Sequence, residues 1–414
     1  MAEQKNRQYD VIVVGAGMVG AAFACLFAQA NPKLKLALIE AHQGASYSPE
    51  KFDPRVAALT EKSRSLLECC GAWQSIAEKR VSAYLAMDVW DAEGTGRIRF
   101  NSQDVHQPNL GHIVENSLVV ESLLNKIQQL DNIAFLCPVR VASYSDSEQQ
   151  VSLELEDGRR LSAPLLVAAD GGNSTIRQQF NFPTREWDYG HSAIVTTVET
   201  EQVNQQTAWQ RFMPTGPLAL LPLNKAGDQH YCSLVWSQES DEAERLMALD
   251  DAEFCQALSL GSEHCLGKIT AVDKRYSIPL RQRHATDYVV ERVALLGDSA
   301  HTIHPLAGQG LNLGLRDVAA LAEVLADAAR RGQDIGSSNA LQPYEQWRRF
   351  DTAALAVATD GINRVFSNDN PLLRAARDLA LGAVNAAPAA RRSMIRQAAG
   401  LTGDLPKLMQ GRMI

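Results

Sequence analysis

The sequence has 414 residues, of which 45% are hydrophobic and 21% charged, and a formal net charge of −8 at pH 7. This length exceeds one ordinary hydrophobic core and predicts at least two domains. The acidic balance and the lack of a basic run exclude a nucleic-acid-binding surface. Seven cysteines without a C-x-x-C pair indicate reduced thiols. With no signal-peptide pattern and no apolar run long enough to cross a membrane, a cytoplasmic location is expected.

The N-terminal segment predicts a strand–helix–strand unit. Residues 9–14 are a β-branched run that stops at Gly15, as a buried parallel strand does. Residues 17–30 are an alanine-rich helix that closes before a proline, and residues 35–39 are a second buried strand.

The middle of the chain changes its pattern. Residues 151–163 alternate around Asp157-Gly158, which predicts a β-hairpin with a type I′ turn, and residues 164–169 follow as a buried strand. From about residue 187 to residue 280 the segments resemble strands with little helix between them. Residues 292–296 return to the buried-strand pattern. We therefore predict a mostly antiparallel sheet inserted into an α/β domain.

The last part of the chain is predicted to be helical. Residues 373–399 read as two amphipathic helices broken near Pro388. The fold class that follows is α/β, with a Rossmann-like dinucleotide-binding domain, an inserted sheet domain and C-terminal helices. The expected boundaries are residues 1–80, 105–180 and 285–330 for the first part, 81–104 and 181–284 for the second, and 331–414 for the third.

The turn GAGMVG carries the pattern G-x-G-x-x-G between the first strand and the first helix. Gly15 makes the tight turn, Gly17 lets the backbone approach a pyrophosphate, and Gly20 lets helix and strand pack closely. The pyrophosphate then lies on the helix N-terminus, and Glu40, at the end of the second strand, holds the ribose hydroxyls. The alternative is a glycine-rich turn that only packs a helix. The pattern alone does not separate NAD from FAD.

Two further motifs place acidic residues at strand ends. They are ADGGNSTIR at residues 169–177 and LLGDSAH from residue 295. In this order after the glycine turn, they resemble the class A flavoprotein monooxygenases, the group that is similar to p-hydroxybenzoate hydroxylase. Residues 304–317, HPLAGQGLNLGLRD, match the narrower signature H-P-x-x-G-Q-G-x-N-x-G-x-x-D of the ubiquinone-biosynthesis hydroxylases. The segments FDPRVAAL, GHIVENSL, WDYGH and IRQAAGLTGDLP extend the resemblance over nearly the whole chain.

This resemblance implies FAD as the cofactor and assigns site residues. Asp298 is expected to accept hydrogen bonds from the ribityl hydroxyls, with Gly297 permitting the close approach. Asp170 is expected near the pyrophosphate, where the family also binds the reduced nicotinamide. Arg55 is expected close to the flavin, compensating phosphate charge, and Asn116 is expected to face the cofactor.

The glycine-rich loop after residue 304 is expected to hold the flavin ring. A helix that begins near its end presents unpaired N–H groups. Backbone donors and the helix dipole, directed at the N1–C2=O edge, stabilise the negative charge of a reduced flavin, with about 1–2 kcal/mol from the dipole. The residues expected to form this loop site are Pro305, Gly308, Gln309, Gly310 and Asn312.

The resemblance also implies a reaction. It is the hydroxylation of a polyprenyl-phenol or quinol in ubiquinone biosynthesis through a flavin C4a-hydroperoxide, with dioxygen (O2) as co-substrate and NAD(P)H or another electron donor. Within the family, the resemblance of WDYGH and IRQAAGLTGDLP favours 6-hydroxylation of 2-polyprenylphenol. The alternatives are hydroxylation of 2-polyprenyl-6-methoxyphenol or of the demethoxyquinone, and a non-catalytic FAD-binding scaffold of the biosynthetic complex. Other ubiquinone-biosynthesis proteins and the inner-membrane surface are candidate contacts of the arginine-bearing C-terminal helices, and the oligomeric state is left open.

The histidines do not predict a metal site. His301 and His304 are three residues apart, but no third ligand lies nearby, and zinc needs three or four. A hydrogen bond from a loop histidine to backbone is favoured instead. No catalytic residue is assigned, although His191, Tyr231 and His301 are candidate bases. Four tryptophans in strand patterns are expected in the core, one or more of them lining a cavity: Trp90, Trp187, Trp209 and Trp236.

Overall fold

A computed structural model describes residues 6–44, 46–302, 309–349, 387–398, 400 and 403–414. This part of the chain forms four β-sheets and ten α-helices. The helices are α1 Met18–Ala30, α2 Glu61–Cys69, α3 Trp73–Lys79, α4 Asn116–Ile127, α5 Thr175–Gln179, α6 Ser240–Ala248, α7 Asp251–Gly261, α8 Gln309–Arg330, α9 at residues 338–349 and α10 Pro388–Ala398. Short 3-10 helices span Ser102–Val105, Gly297–Ser299 and Lys407–Gln410.

The strands are short in the first half of the chain and long in the second. They are β1 Asn6–Gln8, β2 Val11–Val14, β3 Leu36–Ile39, β4 Val56–Leu59, β5 Ser82–Tyr84, β6 Ala86–Asp91, β7 Arg97–Asn101, β8 Gly111–Glu115, β9 Ile133–Leu136, β10 Val141–Asp146, β11 Val151–Leu155, β12 Arg160–Ala163, β13 Leu165–Ala168, β14 Thr184–Thr200, β15 Thr207–Met213, β16 Gly216–Lys225, β17 Asp228–Glu239, β18 Ile269–Val272, β19 Tyr276–Ala285, β20 Val289–Val290, β21 Val293–Leu295 and β22 His301–Thr302.

A six-stranded sheet in the order β20-β21-β13-β2-β3-β9 forms the centre of the α/β part. All neighbours are parallel except β20 with β21. The strand sequences VIVV, LALI and LLVA are apolar throughout because helices cover both faces of such a sheet. The strands predicted at residues 9–14, 35–39, 164–169 and 292–296 are therefore confirmed, and the carboxyl ends of β2, β3, β13 and β21 share one edge.

The large sheet has nine strands, in the order β22-β19-β14-β17-β16-β15-β6-β7 with β18 also on β14. Only β15 and β6 are parallel, so the mostly antiparallel character is confirmed. The expectation of little helix between its strands is wrong, because α6 and α7 follow β17. Asp250 and Glu253 form a capping box at the start of α7, and the helix buries Phe254 and Leu258 in the core of the sheet.

The early strand β6 pairs with β15 of the large sheet, and β7 pairs with β6 at the edge. On this pairing we propose that residues 81–104 and 181–284 form one domain, beside an α/β domain of residues 1–80, 105–180 and 285–330.

The two helices predicted at residues 373–399 are described only in part. Residues 373–386 lie outside the described residues, and α10 follows them at Pro388–Ala398. None of the described helices is long and apolar enough to span a membrane.

The hairpin of β11 and β12 is present, but its turn is not type I′. The Gly158 N–H donates to the carbonyl of Leu155 at 2.9 Å. Gly158 has φ of +83°, whereas Asp157 is not in the left-handed region. The turn is therefore a type I turn followed by a left-handed glycine, which produces a one-residue bulge.

The tryptophans divide into two groups. Trp90, Trp209 and Trp236 are buried as expected, and Trp90 packs edge-on against Trp209. Trp187 contradicts the expectation, because 49% of it is exposed. It lies on β14 before the irregularity at residues 188–191, where β14 pairs only with β19 and extends beyond the core.

Candidate functional site

The glycine turn after β2 has the close contacts that its sequence predicts. Gly15 has φ of +100°, and a Cβ there would lie 2.2 Å from the carbonyl oxygen of Ala169. A Cβ on Gly20 would lie 1.9 Å from the oxygen of Gly15. A Cβ on Gly17 would meet nothing within 4 Å. Gly15 and Gly20 are thus required for packing, while the backbone at Gly17 is open to a ligand.

Glu40 lies directly beside this turn. Its Oε2 accepts a hydrogen bond from the Ala16 N–H at 2.7 Å, and its Oε1 accepts one from the His42 N–H at 3.1 Å. The carboxylate therefore lies next to the N-terminus of α1, where a ribose-binding carboxylate is needed. Its contact with ribose remains a proposal.

Asp170 lies at the end of β13, against the glycine turn. The backbone nitrogen of Asp170 is 3.0 Å from the position of a Cβ on Gly15. Its Oδ2 accepts a hydrogen bond from the Thr175 N–H at 2.9 Å, at the start of α5. Its Oδ1 is buried with no hydrogen-bond partner among the described residues. An acceptor without a partner at a strand end fits a site for a ligand that carries donors.

The Gly297-Asp298 turn packs against the same helix, α1. Gly297 has φ of +57°, and a Cβ there would lie 3.1 Å from the methyl groups of Val19. A Cβ on Gly314 of α8 would lie 2.8 Å from a Val19 methyl and 3.2 Å from the Gly297 Cα. The three sequence motifs and α8 therefore converge around the N-terminal turn of α1.

Asp298 lies in the short 3-10 helix Gly297–Ser299. It is exposed to solvent, yet nearby protein atoms displace part of the water around its carboxylate. Burial raises the pKa of Asp298, the charge of Asp317 adds to this, and His301 opposes it. This combination is expected for a carboxylate at the floor of an open cleft. Such a group fits the ribityl hydroxyls, because hydroxyl donors would replace the water that the carboxylate has lost.

Asp298→Asn is expected to lower FAD occupancy sharply without destabilising the apoprotein at neutral pH. Because the pKa of Asp298 is raised in the folded protein, its protonated form stabilises the folded state. This stabilisation is complete at pH values below the ordinary carboxyl pKa. It is lost as the pH rises through the raised pKa. The amide carries no charge to desolvate, but it accepts fewer hydrogen bonds from hydroxyls. Flavin content of the purified protein and thermal unfolding of the apoprotein at acidic and neutral pH measure both effects. Asp188→Asn, in an exposed pair with Arg281, is the control; unchanged flavin content in Asp298→Asn would contradict the ribityl role.

A second group of predicted residues lies around β4 and β8. The Asn116 N–H donates to the carbonyl of Arg55 at 3.0 Å, so these two residues are neighbours. The Arg55 side chain is 63% exposed, with its Nε 3.9 Å from Oδ1 of Asp53. The Asn116 Oδ1 is buried and has no hydrogen-bond partner among the described residues. Both side chains are thus available to a ligand, and we retain their cofactor contacts as proposals.

Asn312 connects this second group to α8. Its Oδ1 accepts hydrogen bonds from the Thr60 N–H at 3.0 Å and from the Ser63 hydroxyl at 2.7 Å. Its Nδ2 donates to the carbonyl of Ala58 at 2.8 Å. We therefore propose that Asn312 fixes the first turns of α8. Of the other loop residues, Gln309 and Gly310 begin α8, whereas Pro305 and Gly308 lie outside the described residues.

The expectation that His301 bonds to backbone is wrong. Its Nε2 lies 2.6 Å from Oδ2 of Asp317, and both side chains are fully buried. The sequence offered a signal, because Asp317 is the last residue of the signature. His304 lies outside the described residues. Within the described ranges, no group of three or more histidine, cysteine and acidic side chains could hold a metal ion.

The other candidate bases stay unassigned. The Nδ1 of His191 lies 2.6 Å from the carbonyl of Tyr189. Tyr231 packs against Phe52 at a ring-centroid distance of 5.5 Å. Burial raises the pKa of Tyr231, and nearby carboxylates raise it further. Neither contact defines a proton-transfer role.

An apolar cluster lies between the small sheet β4-β8-β5 and the large sheet. On β16, Leu218 and Leu220 are buried in the core, while Leu221 lies on the opposite face and is partly exposed. The partly buried side chains of this cluster are Val56, Ala58, Tyr84, Leu221 and Tyr231, packed on Phe52, Ile113 and Leu223. Because the carbonyl of Ala58 accepts a hydrogen bond from Asn312, the cluster adjoins the start of α8.

This fold and site define a class of protein. Motifs at the carboxyl ends of parallel strands fit a dinucleotide, and an apolar cluster lies between the α/β part and a second sheet. This arrangement fits a flavoprotein monooxygenase. The family model for the FAD binding domain matches residues 8–358, and the chain belongs to this family. It is an FAD-dependent monooxygenase, of a family that uses dioxygen and a reduced-nicotinamide donor.

The relatives are similar over almost their whole length. A mitochondrial ubiquinone biosynthesis monooxygenase COQ6 from Xenopus tropicalis is 35% identical, over 91% of this chain and 90% of the relative. The 3-demethoxyubiquinol 3-hydroxylase of Escherichia coli is 32% identical, over 96% of this chain and all of the relative (100%). The crystal structure of p-nitrophenol 4-monooxygenase from Pseudomonas putida shares the fold, with a TM-score of 0.77 and 20% identity over 96% of this chain and 99% of that one.

Proposed function

We propose that this monooxygenase hydroxylates the aromatic ring of a polyprenyl-phenol or quinol intermediate of ubiquinone biosynthesis. The observation that carries the proposal is the cluster of partly buried apolar side chains Val56, Ala58, Tyr84, Leu221 and Tyr231 beside the start of α8. The names of the relatives support the substrate class. Within this class we favour 6-hydroxylation of 2-polyprenylphenol. The 2-polyprenyl-6-methoxyphenol and the demethoxyquinone are the alternative substrates.

Each group of residues has a distinct task in this proposal. When bound, FAD supplies the activation of dioxygen and the transfer of one oxygen atom to the ring. Gly17, Glu40 and Asp298 hold its diphosphate, ribose and ribityl parts. The N-terminus of α8 directs backbone donors toward the ring system. The apolar face of β16 excludes water, which limits the unproductive release of hydrogen peroxide.

Burial raises the pKa of Tyr84 to about 12, with a contribution from the charge of Glu61. Tyr84 therefore keeps its proton at physiological pH and is able to donate a hydrogen bond to a substrate at this apolar cluster. We propose that this hydroxyl orients the phenol oxygen of the substrate. It is a binding contact and not a base.

The test combines turnover with genetic complementation. The purified protein should retain FAD and consume NAD(P)H and dioxygen faster when a short-chain 2-prenylphenol is added, with formation of a ring-hydroxylated product. Expression in strains that each lack one ring hydroxylase then identifies the position that is hydroxylated. Hydrogen peroxide formation with no hydroxylated product would point to an oxidase. FAD binding with no turnover and no rescue would favour the scaffold alternative.

A further inference from the structure

Three buried side chains form an ionic network directly behind the Gly297-Asp298 turn. The Asp317 Oδ2 accepts a hydrogen bond from the Gly297 N–H at 3.0 Å and lies 2.6 Å from Nε2 of His301. Its Oδ1 accepts a hydrogen bond from Nε of Arg348 at 2.6 Å. The side chains of Asp317, His301 and Arg348 are 0%, 0% and 1% exposed. One carboxylate thus joins the turn, β22, α8 and α9.

We propose that Asp317, supported by His301 and Arg348, is a positioning residue that sets the conformation and charge of the FAD-binding turn. The inference rests on the proposed role of Asp298 in binding FAD. It concerns cofactor retention and does not depend on the substrate or on the position that is hydroxylated.

The positioning argument comes from the backbone of the turn. Gly297 has φ of +57°, and even a Cβ at this position would lie only 3.1 Å from the methyl groups of Val19, so the turn has little room to shift toward α1. After Gly297, the Ser299 hydroxyl lies within hydrogen-bond distance of the carbonyls of Ala168 at 2.6 Å and Leu296 at 2.7 Å, and Nη1 of Arg177 donates to the carbonyl of Ser299 at 2.7 Å. These contacts fix the exit of the turn. The bond to Asp317 fixes its entry, and Asp298 lies between them.

The charge argument concerns the two carboxylates. Burial alone would raise the pKa of Asp317, but the positive charges of His301 and Arg348 hold it below its usual value. Asp317 is therefore ionised, and its charge raises the pKa of Asp298. Two cations beside Asp317 limit this repulsion and keep Asp298 a charged acceptor. The titratable and charged groups that face the Asp317–His301 pair are Asp298, His284, Tyr288, Tyr344 and Arg348.

Arg348→Met and Arg348→Lys separate positioning from general stability. With methionine, Oδ1 of Asp317 loses the hydrogen bond from Nε of Arg348, and the buried carboxylate loses a permanent cation. The FAD dissociation constant of Arg348→Met should therefore rise on the order of ten-fold. Arg348→Lys keeps the positive charge and should restore most of the FAD affinity, whereas a purely structural role of the guanidinium would give the same loss in both variants. Equal FAD affinities of Arg348→Lys and Arg348→Met, or no loss in either, would overturn the proposal.

Asp317→Asn tests the carboxylate itself against a matched control. Its FAD dissociation constant should rise on the order of 10- to 100-fold, because an amide oxygen cannot replace a carboxylate that serves three donors. Asp88→Asn removes another buried carboxylate, 1% exposed, that accepts from Nε and Nη2 of Arg97 at 2.7 and 3.0 Å on the large sheet. It should lower the unfolding temperature but change the FAD dissociation constant by less than about two-fold.

Apoprotein of each variant is titrated with FAD, following flavin fluorescence, and its folding is checked by circular dichroism. If Asp317→Asn does not fold, the FAD affinities of Arg348→Met and Arg348→Lys decide. Weak FAD binding by Asp298→Asn, together with unchanged FAD binding by a folded Asp317→Asn, would overturn this inference but not the role of Asp298. Unchanged FAD binding by Asp298→Asn would instead show that Asp298 is not part of the FAD site on which the inference rests.

Discussion

Gly15→Ala is expected to destabilise the apoprotein by about 3–5 kcal/mol, whereas Gly17→Ala is expected to fold normally and to lose FAD affinity. At Gly15 the φ of +100° is unfavourable for any side chain, and a Cβ would overlap the carbonyl oxygen of Ala169 at 2.2 Å. Relief of that overlap requires β2 and β13 to separate, although they are adjacent parallel strands in the centre of the sheet.

Gly17 has the opposite geometry. Its φ is −65°, a value that alanine adopts readily, and a Cβ there meets no protein atom within 4 Å. The methyl group would instead occupy the open surface at the N-terminus of α1, where the backbone is expected to approach the pyrophosphate. The cost should therefore appear in FAD affinity, on the order of ten-fold or more.

Urea unfolding of the apoproteins and FAD titration distinguish these two effects. Gly20→Ala serves as a second packing variant, since its Cβ would lie 1.9 Å from the oxygen of Gly15. Equal destabilisation by Gly15→Ala and Gly17→Ala would show that the turn has only a packing function. Normal FAD affinity in Gly17→Ala would show that the pyrophosphate does not bind at this position.

The elements that could be predicted from the sequence are those with local signals. The parallel strands are short apolar runs, and the glycine turns follow from steric contacts between a strand and its own helix. Helix α7 has a local signal in the capping box Asp250-x-x-Glu253, but the strand patterns on both sides of α6 and α7 favour a segment with little helix. The Asp157-Gly158 pair predicted the hairpin correctly, but it is compatible with more than one turn type.

The site was less predictable, because its side chains are fixed by partners far away in the sequence. Asn312 matches the signature, but its hydrogen bonds go to Thr60, 252 residues away, and to Ser63 and Ala58. Asp317 is also part of the signature, yet its partner Arg348, 31 residues later, has no motif of its own. Glycine positions report backbone geometry directly, whereas a buried polar residue shows its role only when its partners are known.

Arg80→Met is expected to destabilise the protein by about 3–5 kcal/mol, because it leaves the Glu115 carboxylate buried without its cation. The two side chains are 7% and 3% exposed. Nε and Nη2 of Arg80 donate to Glu115 at 2.6 and 2.9 Å, and the guanidinium also donates to carbonyls of the loop at residues 48–51. No local pattern indicates this pair, although Glu115 is an acidic residue at the end of the fully buried strand β8.

The same pair should affect the cofactor site, because the contacts continue toward it. Glu115 accepts a hydrogen bond from the Asp53 N–H at 2.7 Å, and the Asp53 carboxylate accepts from the N–H groups of Arg55 at 2.9 Å and Ser117 at 3.0 Å. Loss of Arg80 therefore releases the segment that presents Arg55 beside Asn116. FAD affinity should fall together with the unfolding free energy.

Urea unfolding and FAD titration of Arg80→Met test this link, with Arg245→Met as the control. Arg245 forms an exposed pair with Glu242 on α6, so its loss should change neither quantity measurably. Adding Glu115→Gln to Arg80→Met should restore part of the lost stability, since the uncompensated charge is then removed. FAD affinity should not recover with it, because the loop at residues 48–51 still lacks the guanidinium that held its carbonyls. Recovery of both quantities together would mean that the buried charge alone, and not the anchoring of this loop, connects Arg80 to the cofactor site.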